Sequence, residues 1–481
     1  MIYRKLLSFT IALALALSLS ACDLLDVDPA QSIDTETAFE SAEAAEGALN
    51  GMYSGVQGSG VYGGFFTTMG DFTSNNANFS GSFTTWQNAR DFNKLASHGP
   101  SQAMWSGHYT AINRANNIIE QVPELVEAGT DPEADEAFEN RLVGQATFVR
   151  ALMHFNLVRL YAEPYEPGAS NTQDGVPLVT SRTESAEDDL DLPRSSVEDV
   201  YSQIVTDLET AQSLLSPSSN GIRATQGAAT ALLAKVRLYQ GEYAEAASLA
   251  EDVINSGTYE LDDPVSVADQ GGGSSESIFA IRYLADDNTG VNSFPSSFYL
   301  PQDIGGRGDI RVTTDLLDLI EDDDLRGPEG IMYGYDDGGV GACEVGPDCS
   351  AWTNKWDSPQ NADDAFVLRL SEMYLIAAEG LAREGQDDPA RGYLNDVRAE
   401  ANASDIESDV EGSDLLDAII QERRVELAFE GDWRHDVLRR GAPLVSSTGV
   451  ADDSQNTTQR IFPIPQRDRD VNDELTQNPG Y

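Results

Sequence analysis

Apolar residues recur at helical spacing through most of the chain, separated by polar residues that would face solvent. Single segments of this kind predict helices at residues 37–56, 104–122, 137–162 and 195–215. In the last of these, Ser195 and Glu198 have the spacing of an N-terminal capping box. Two stretches lack a helical period and are rich in Gly, Ser, Asn and aromatic residues: 55–99, and 257–363, where SIFAIRYL is strand-like. Insertions of this length usually carry binding residues.

Two further segments read as versions of one helix–turn–helix motif. In residues 229–254 the helical pattern is interrupted by Gly241, and Ala246 follows five positions later. In residues 369–399 it is interrupted by Gly385, and Ala390 follows at the same distance. This is the pattern of tetratricopeptide repeats, in which small residues allow close helix packing. The predicted fold is therefore mostly α, with tetratricopeptide-repeat-like helix pairs forming a scaffold for long irregular insertions and a few short strands.

The N-terminus has the three parts of an export signal. Arg4 and Lys5 precede an apolar run that ends at Leu19, shorter than the roughly 20 residues that span a bilayer. Leu19-Ser20-Ala21-Cys22 then resembles a bacterial lipobox, which makes residues 1–21 a lipoprotein signal peptide and Cys22 the lipidation site. The alternative is an ordinary signal peptide with a chance cysteine. Residues 22–35, which are acidic, would form a lipidated tether.

The two other cysteines are Cys343 and Cys349, in CEVGPDC. Export permits a disulfide between them, and Gly346 and Pro347 allow the chain to turn. A metal pair is the alternative, but no histidine or further cysteine lies nearby in sequence. We therefore expect a disulfide and no metal centre.

The charge of the chain limits its partners. The net charge is −51, from 81 acidic and 30 basic residues, and only four of the basic residues are lysines. Such a field repels phosphates, which argues against nucleic acid as a partner. Spread acidity with little lysine suggests a surface adapted to high salt, as in a halophilic acidic proteome, where ions screen self-repulsion.

Seven strings, in order, resemble the SusD/RagB family of outer-membrane nutrient-binding lipoproteins, and they are spread over essentially the whole chain that follows the signal. They are CDLLDVDP, WSGHYTAINRANNIIE, ATFVRALMHFNLVRLYAEPY, PRSSVEDVYSQIVTDLETAQSLL, VLRLSEMYLIAAEGLAREG, RRVELAFEGDWRHDVLRRG and IFPIPQRDRDVNDELTQNPGY. The resemblance divides the chain into an N-terminal helical part, 36–215, and a C-terminal part, 216–481, whose insertion 257–363 faces the ligand. One departure is local: Trp433 precedes Arg434, and His435 stands where an aromatic residue is common.

The resemblance implies a function. Members of the family capture oligosaccharides, or in the RagB-like branch peptides, and deliver them to a SusC-like TonB-dependent outer-membrane transporter. It implies a chain held at the outer membrane by its N-terminal lipid and displayed at the cell surface. Two other classes stay open, a helical-repeat scaffold for envelope proteins and an exported glycan hydrolase.

Sugar-binding candidates come from the irregular regions, because aromatic rings stack on sugars and Asp, Asn and Gln bond to hydroxyl groups. The segment from 69 to 92 offers both kinds of side chain, and tyrosines of the second insertion, 257–363, could complete an arc of binding residues around the ligand. The candidates are Asp71, Asn75, Asn76, Trp86, Gln87, Asn88, Tyr283 and Tyr299. The alternative for Trp86 and its neighbours is that they pack the loop onto the helices.

Nothing in the sequence requires catalysis or a cofactor. The four histidines, His98, His108, His154 and His435, are scattered, and no HExxH, GxSxG or Walker-type motif occurs. A GxGxxG match at 58–63 follows a predicted helix instead of a strand and is read as a flexible loop. The acidic run at 321–324 lacks EF-hand spacing, so solvated surface is favoured over calcium binding.

Overall fold

The computed structural model describes residues 37–183, 192–328, 330–336, 349–449 and 459–481. Helices dominate these residues, as the hydrophobic pattern predicts. They are α1 (Ala42–Val56), α2 (Phe65–Phe72), α3 (Thr84–Arg90), α4 (Gly99–Ala128), α5 (Glu136–Tyr161), α6 (Val197–Leu214), α7 (Gln226–Gln240), α8 (Tyr243–Ile254), α9 (Pro264–Gln270), α10 (Pro295–Tyr299), α11 (Thr314–Leu317), α12 (Leu370–Arg383), α13 (Asp387–Glu400), α14 (Ser413–Glu426), α15 (Trp433–Arg439) and α16 (Gln466–Arg469). Within the described ranges, no helix is both long and apolar enough to cross a bilayer.

Six short strands form three antiparallel pairs in the described part of the chain. The strands are β1 (Ala77–Phe79), β2 (Ser277–Ile281), β3 (Ile310–Val312), β4 (Met332–Asp336), β5 (Cys349–Thr353) and β6 (Ala365–Arg369). β1 pairs with β3, β2 with β6 and β4 with β5. The described residues also contain four 3₁₀ turns, at Thr37–Phe39, Gly271–Gly273, Gln302–Ile304 and Asn354–Trp356.

The centre of the molecule is α5. Every residue from Gly144 to Tyr161 is buried, polar ones included, so this helix has no solvent face over more than four turns. A helix that is buried all round lies inside a layer of other elements. Helices α4 and α6 pack on it, and one hydrophobic cluster continues from Phe39 to Leu475. The N-terminal and C-terminal parts therefore share a core.

The two glycine-interrupted segments form helix pairs as predicted. Gly241 ends α7 with φ of 79°, and Gly385 separates α12 from α13 with φ of 72°, both in the left-handed region that glycine adopts without strain. Helices α8 and α12 then pack closely, because a Cβ at Gly380 would lie 2.6 Å from the carbonyl oxygen of Tyr243. The absence of a side chain at position 380 thus sets this helix–helix distance.

Two local predictions are wrong. The cap of α6 is Ser196, whose hydroxyl accepts from the Asp199 amide at 3.1 Å, so the predicted Ser195–Glu198 box is one residue too early. Residues 55–99 are not a long irregular region either, since they contain α2, α3, β1 and the start of α4. Helices of seven or eight residues complete only two turns, too few to reveal a period in sequence.

A buried ionic network joins the second insertion to α14. Arg369, at the end of β6, contacts the carboxylates of Glu276, Glu426 and Glu430. Arg326 extends the network to Glu422, and both arginine side chains are 3% exposed. Removing one partner from such a network leaves an uncompensated buried charge, so the insertion is held firmly on the helices.

Candidate ligand-binding cleft

An open cleft of about 440 Å³ lies between the loop that follows α2, the middle and end of the second insertion, and a segment near the C-terminus. This volume is in the range of small-ligand sites. We call it the β1–β3 cleft. Its lining is mainly polar and consists of Asn75, Asn78, Arg311, Val312, Thr313, Thr314, Asp315, Ser350, Val445, Ser446, Ser447 and Gly449.

The strand pair β1–β3 creates this cleft by joining distant parts of the chain. Asn78 is registered opposite Arg311, and the Thr313 amide continues the ladder by donating to the Asn76 carbonyl at 3.1 Å. Asn75 turns the chain with φ of 65°, and its carbonyl accepts from the Thr313 hydroxyl at 2.8 Å. The first irregular region therefore meets the second at one edge of a short sheet.

Side-chain hydrogen bonds hold the walls in place. The Asn75 amide donates to the Asp315 carboxylate at 2.5 Å, and the Ser447 hydroxyl donates to the Asn78 amide oxygen at 2.9 Å. Arg311 donates to the Ser350 hydroxyl at 3.2 Å, and its guanidinium lies 5.4 Å from the centre of the buried Trp352 ring. Such a surface of amide, hydroxyl, guanidinium and carboxylate groups can exchange hydrogen bonds with a ligand rich in hydroxyl groups.

Asn75 is the one predicted binding residue that lines the cleft. Its neighbour Asn76 is fully buried, and the Asn76 side-chain oxygen accepts from Arg424 at 2.9 Å. Gln87 and Asn88 are half-buried on α3, where Gln87 donates to the Gly81 carbonyl at 2.9 Å. These two residues lie outside the lining, and their contact with a ligand stays a prediction.

Asp71 and Tyr299, predicted from opposite insertions, do meet, but beneath the surface. The Tyr299 hydroxyl donates to the Asp71 carboxylate at 2.9 Å, and the Phe429 amide donates to it at 3.0 Å. Burial raises the pKa of Asp71 to about 7 and that of Tyr299 well above its ordinary value. In this conformation the pair joins α2 to α10 and to the chain after α14.

The ring of Trp86 is 3% exposed and belongs to an aromatic cluster. Ring centres lie 4.3 Å away for Phe298, 5.0 Å for Phe79 and 5.5 Å for Phe72. The ring therefore packs the loop onto its neighbours, which is the alternative stated for it, and offers no face to a sugar in this conformation. Tyr283 is buried in the same way, with its hydroxyl donating to the Gln57 carbonyl at 3.2 Å.

All four histidines are buried away from the cleft. Burial lowers the pKa of His98 and of His108 to about 4, that of His154 to about 3 and that of His435 well below its usual range. These side chains are therefore neutral near pH 7 and belong to the packing of the helices.

Most cleft residues were not predicted individually. Residues 311–315 and Ser350 lie within the insertion 257–363, which the sequence predicts to face the ligand. The sequence therefore indicated the region but not these individual residues. The segment 445–449 carried no signal, because it is a short polar stretch after the last long helices. The acidic run also has structural partners at its ends, with Glu321 bonded to Arg398 and Asp324 to Arg326.

Four predictions lie wholly or partly outside the described residues. The signal peptide, the tether and Cys22 precede residue 37, and Cys343 falls in the undescribed range 337–348. Cys349 begins β5, but its side chain is not described, so the expected disulfide stays a prediction.

Comparison with known proteins gives two family matches. A family model described as "Starch-binding associating with outer membrane" matches residues 23–238, and one described as "SusD family" matches residues 347–481. A SusD-like protein of Formosa agariphila is 24% identical over 99% of this chain and 98% of its own length. The starch-binding protein SusD of Bacteroides thetaiotaomicron is 31% identical over a shorter stretch, 24% of this chain and 22% of its own.

Solved structures show the same fold. A SusD superfamily protein from Bacteroides thetaiotaomicron superposes with a TM-score of 0.80 at 27% identity, covering 91% of this chain and 100% of that one. A SusD superfamily protein from Bacteroides vulgatus gives 0.79 at 28% identity, covering 92% and 99%. The helical scaffold and its insertions are therefore a known architecture.

Proposed function

Since the chain belongs to the SusD/RagB family, we propose that it captures glycan oligosaccharides in the β1–β3 cleft, without cleaving them, and delivers them to a partner TonB-dependent outer-membrane transporter. The observation that carries this proposal is the match of residues 23–238 to a family described as starch-binding and associated with the outer membrane. The polar lining of the cleft supports it, because amide and hydroxyl groups suit a sugar rim.

The composition of the cleft favours binding over hydrolysis. Glycosidases place two carboxyl groups across one sugar, roughly 5 to 9.5 Å apart. Among the described residues that line the cleft, Asp315 supplies the one carboxylate, and it accepts a hydrogen bond from Asn75. Neither histidine nor lysine is present in that lining to act as a second proton donor.

Anchoring and partnership complete the proposal. Lipid on Cys22 would hold the protein at the outer membrane, and the acidic residues Asp23, Asp26 and Asp28 would keep the tether solvated and extended. Cys22→Ala should release the protein from membranes, and protease added to intact cells should digest the wild type if it is displayed at the surface. Co-purification of a TonB-dependent barrel with the wild type tests the partner.

A glycan array read in parallel with reducing-sugar release tests the central function. Binding of oligosaccharides without release supports the proposal, and release supports a hydrolase instead. A chain that binds neither glycans nor peptides would be a scaffold. Peptide binding alone would place it with the RagB-like proteins.

A further inference from the structure

Two arginines next to the cleft share one tryptophan. Arg424 lies in the last turn of α14, and Arg440 follows α15 directly. Their guanidinium carbons lie 5.3 Å and 5.0 Å from the centre of the Trp433 ring, and all three side chains are half-buried. We call these three residues the arginine–tryptophan cluster.

Neither guanidinium has a carboxylate within ion-pair distance among the residues that the structure describes. Arg424 donates to the side-chain oxygen of Asn76 at 2.9 Å and to the carbonyl of Asn75 at 2.8 Å. Arg440 donates to the main-chain carbonyl of Asp436 at 2.9 Å. All three acceptors are neutral groups, so nearby carboxylates act on the two positive charges only from beyond ion-pair distance.

The adjacent residues on the same helices behave in the opposite way. Arg423 contacts the carboxylates of Glu372 and Asp436, and Arg439 contacts those of Glu379 and Asp436. Among the described residues, the inward-facing arginines of both helices therefore have carboxylates at ion-pair distance, whereas their neighbours Arg424 and Arg440 do not. With 81 acidic and 30 basic residues to draw on, a lack of available acid does not explain the difference.

Holding the two charges together costs free energy. Burial lowers the pKa of Arg424 to about 10, the Asp315 carboxylate acts against this, and the charge of Arg440 adds to it. Burial lowers the pKa of Arg440 as well, although the Asp436 carboxylate acts against this. Both effects show that the positive charges are poorly solvated where they lie, and an anion placed between them would relieve this.

The cluster and the cleft share a wall. Arg424 donates a hydrogen bond to the main chain of Asn75, and Asn75 lines the cleft. Trp433 packs against the small apolar cluster that contains Leu444, and Leu444 directly precedes the lining residue Val445. The two guanidiniums lie outside the lining itself, so a ligand would reach them by extending past the wall that Asn75 and Val445 form.

We propose that the cleft takes an anionic oligosaccharide, one of whose sugars places a carboxylate or sulfate group against Arg424 and Arg440. This inference rests on the proposed function and narrows its ligand class. Guanidinium groups bind both anions through charge-assisted, often bidentate hydrogen bonds. A glycan is favoured over an acidic peptide because the cleft offers mainly hydroxyl-bonding groups, with Val312 and Val445 as its aliphatic lining.

The overall charge of −51 opposes any polyanion at long range, whereas the cluster acts at contact distance. Salt should therefore affect the two interactions differently, since the Debye length is about 10 Å at 0.1 M and about 3 Å at 1 M. Moderate salt should help an anionic ligand to approach and leave the bonds to the guanidiniums largely in place.

The test compares matched probes on the full chain in saline buffer: tetragalacturonic acid, its methyl ester, a sulfated carrageenan tetrasaccharide and maltotetraose. The wild type should bind the uronate or the sulfated sugar at least tenfold more tightly than either neutral one, a difference of about 1.4 kcal/mol. Arg440→Gln should bring this ratio close to one, and Arg440→Lys should retain part of it. Arg114→Gln and Arg467→Gln, at exposed arginines elsewhere, should leave the ratio unchanged.

Neutral sugars bound as tightly as anionic ones by the wild type would overturn the inference and leave the proposed function intact. Selective capture of an acidic peptide in place of any glycan would overturn it in favour of a peptide ligand. A chain that binds none of these sugars, nor any glycan on an array, would remove the proposed function and the inference together. The wild-type ratio decides the matter even if Arg440→Gln, checked by circular dichroism, does not fold.

Discussion

At the scale of single residues, the sequence could indicate which side chains contact one another, but not whether the contact is buried or exposed. Asp71 and Tyr299, candidates from insertions more than two hundred residues apart, form a hydrogen bond of 2.9 Å. Aromatic and acidic residues in a Gly/Ser/Asn-rich stretch could equally face a ligand or the core, because no hydrophobic period reveals which way they point. Asn75 could be predicted as a cleft residue, whereas the sequence leaves open whether Trp86 faces a ligand or packs in the core.

Trp86→Ala should destabilise the protein by about 3–5 kcal/mol, because it removes the ring on which Phe72, Phe79 and Phe298 pack. Denaturant unfolding measures this cost. Gln87→Ala, at the half-buried neighbour, is the matched control and should change stability by less than about 1 kcal/mol. Equal costs for the two variants would show that Trp86 does not have this packing role, and loss of ligand binding without loss of stability would restore it as a binding residue.

Asp71→Asn should change how stability depends on pH. Because burial raises the pKa of Asp71 in the folded chain to about 7, above its ordinary value of 3.8, the folded state binds this proton more tightly. The resulting stabilisation is complete below about pH 4 and is lost as pH rises towards 7, by up to about 1.4 kcal/mol per pH unit. Relative to the wild type, the variant should therefore gain stability across this interval.

The measurement is the denaturation midpoint of both proteins between pH 4 and 7, with Asp414→Asn as an exposed control. The comparison must be a difference from the wild type, since the buried histidines act in the opposite direction. The low folded-state pKa of His98 and of His108, about 4, makes stability fall as pH falls from about 6.5. Parallel curves for the wild type and Asp71→Asn would contradict the buried, proton-binding carboxyl group.

At the scale of elements, long helices could be predicted and short elements could not. The glycine stops at Gly241 and Gly385 follow from composition alone, and both adopt the left-handed conformation. Strands β1 and β3 have three residues each and pair across more than two hundred positions, so neither local propensity nor spacing indicates their register. The cleft depends on this pair, which is why its position could not be derived from sequence.

The two glycine stops give a matched pair of variants. Gly385→Ala should cost about 1–2 kcal/mol, the strain of a left-handed alanine, because nothing lies within 4 Å of the added Cβ. Gly241→Ala should cost more, because its Cβ would also lie 2.7 Å from the ring of Pro167. Thermal unfolding of the two variants measures the difference, and an equal or smaller cost at Gly241 would contradict the contact between this turn and Pro167.

At the scale of the whole molecule, two of the few lysines are buried in the interior. Lys94 and Lys235 are 2% and 3% exposed, and Lys235 contacts Glu372 and Asp432. Two of the three lysines in the described ranges are therefore used inside the protein, where buried carboxylates also lie. Adaptation to high salt stays a prediction from this distribution.

We expect the protein to lose compactness at low ionic strength, because at about 0.01 M salt the Debye length reaches about 30 Å and the acidic groups repel one another across the molecule. Circular dichroism and melting temperature measured from about 0.01 M to about 1 M sodium chloride report this. Spectra and melting temperatures that do not change over this range would contradict the prediction.

Capture of a glycan in the β1–β3 cleft can be measured by titration calorimetry with the strongest array ligand and two matched variants. Thr314→Trp places a large side chain at an exposed position of the lining without removing a buried contact, and Thr206→Trp does the same on the exposed face of α6. If the glycan occupies the cleft, Thr314→Trp should lose at least tenfold in affinity and Thr206→Trp should keep wild-type affinity. Wild-type affinity for both variants would place the glycan elsewhere on the molecule and rule out binding in the cleft.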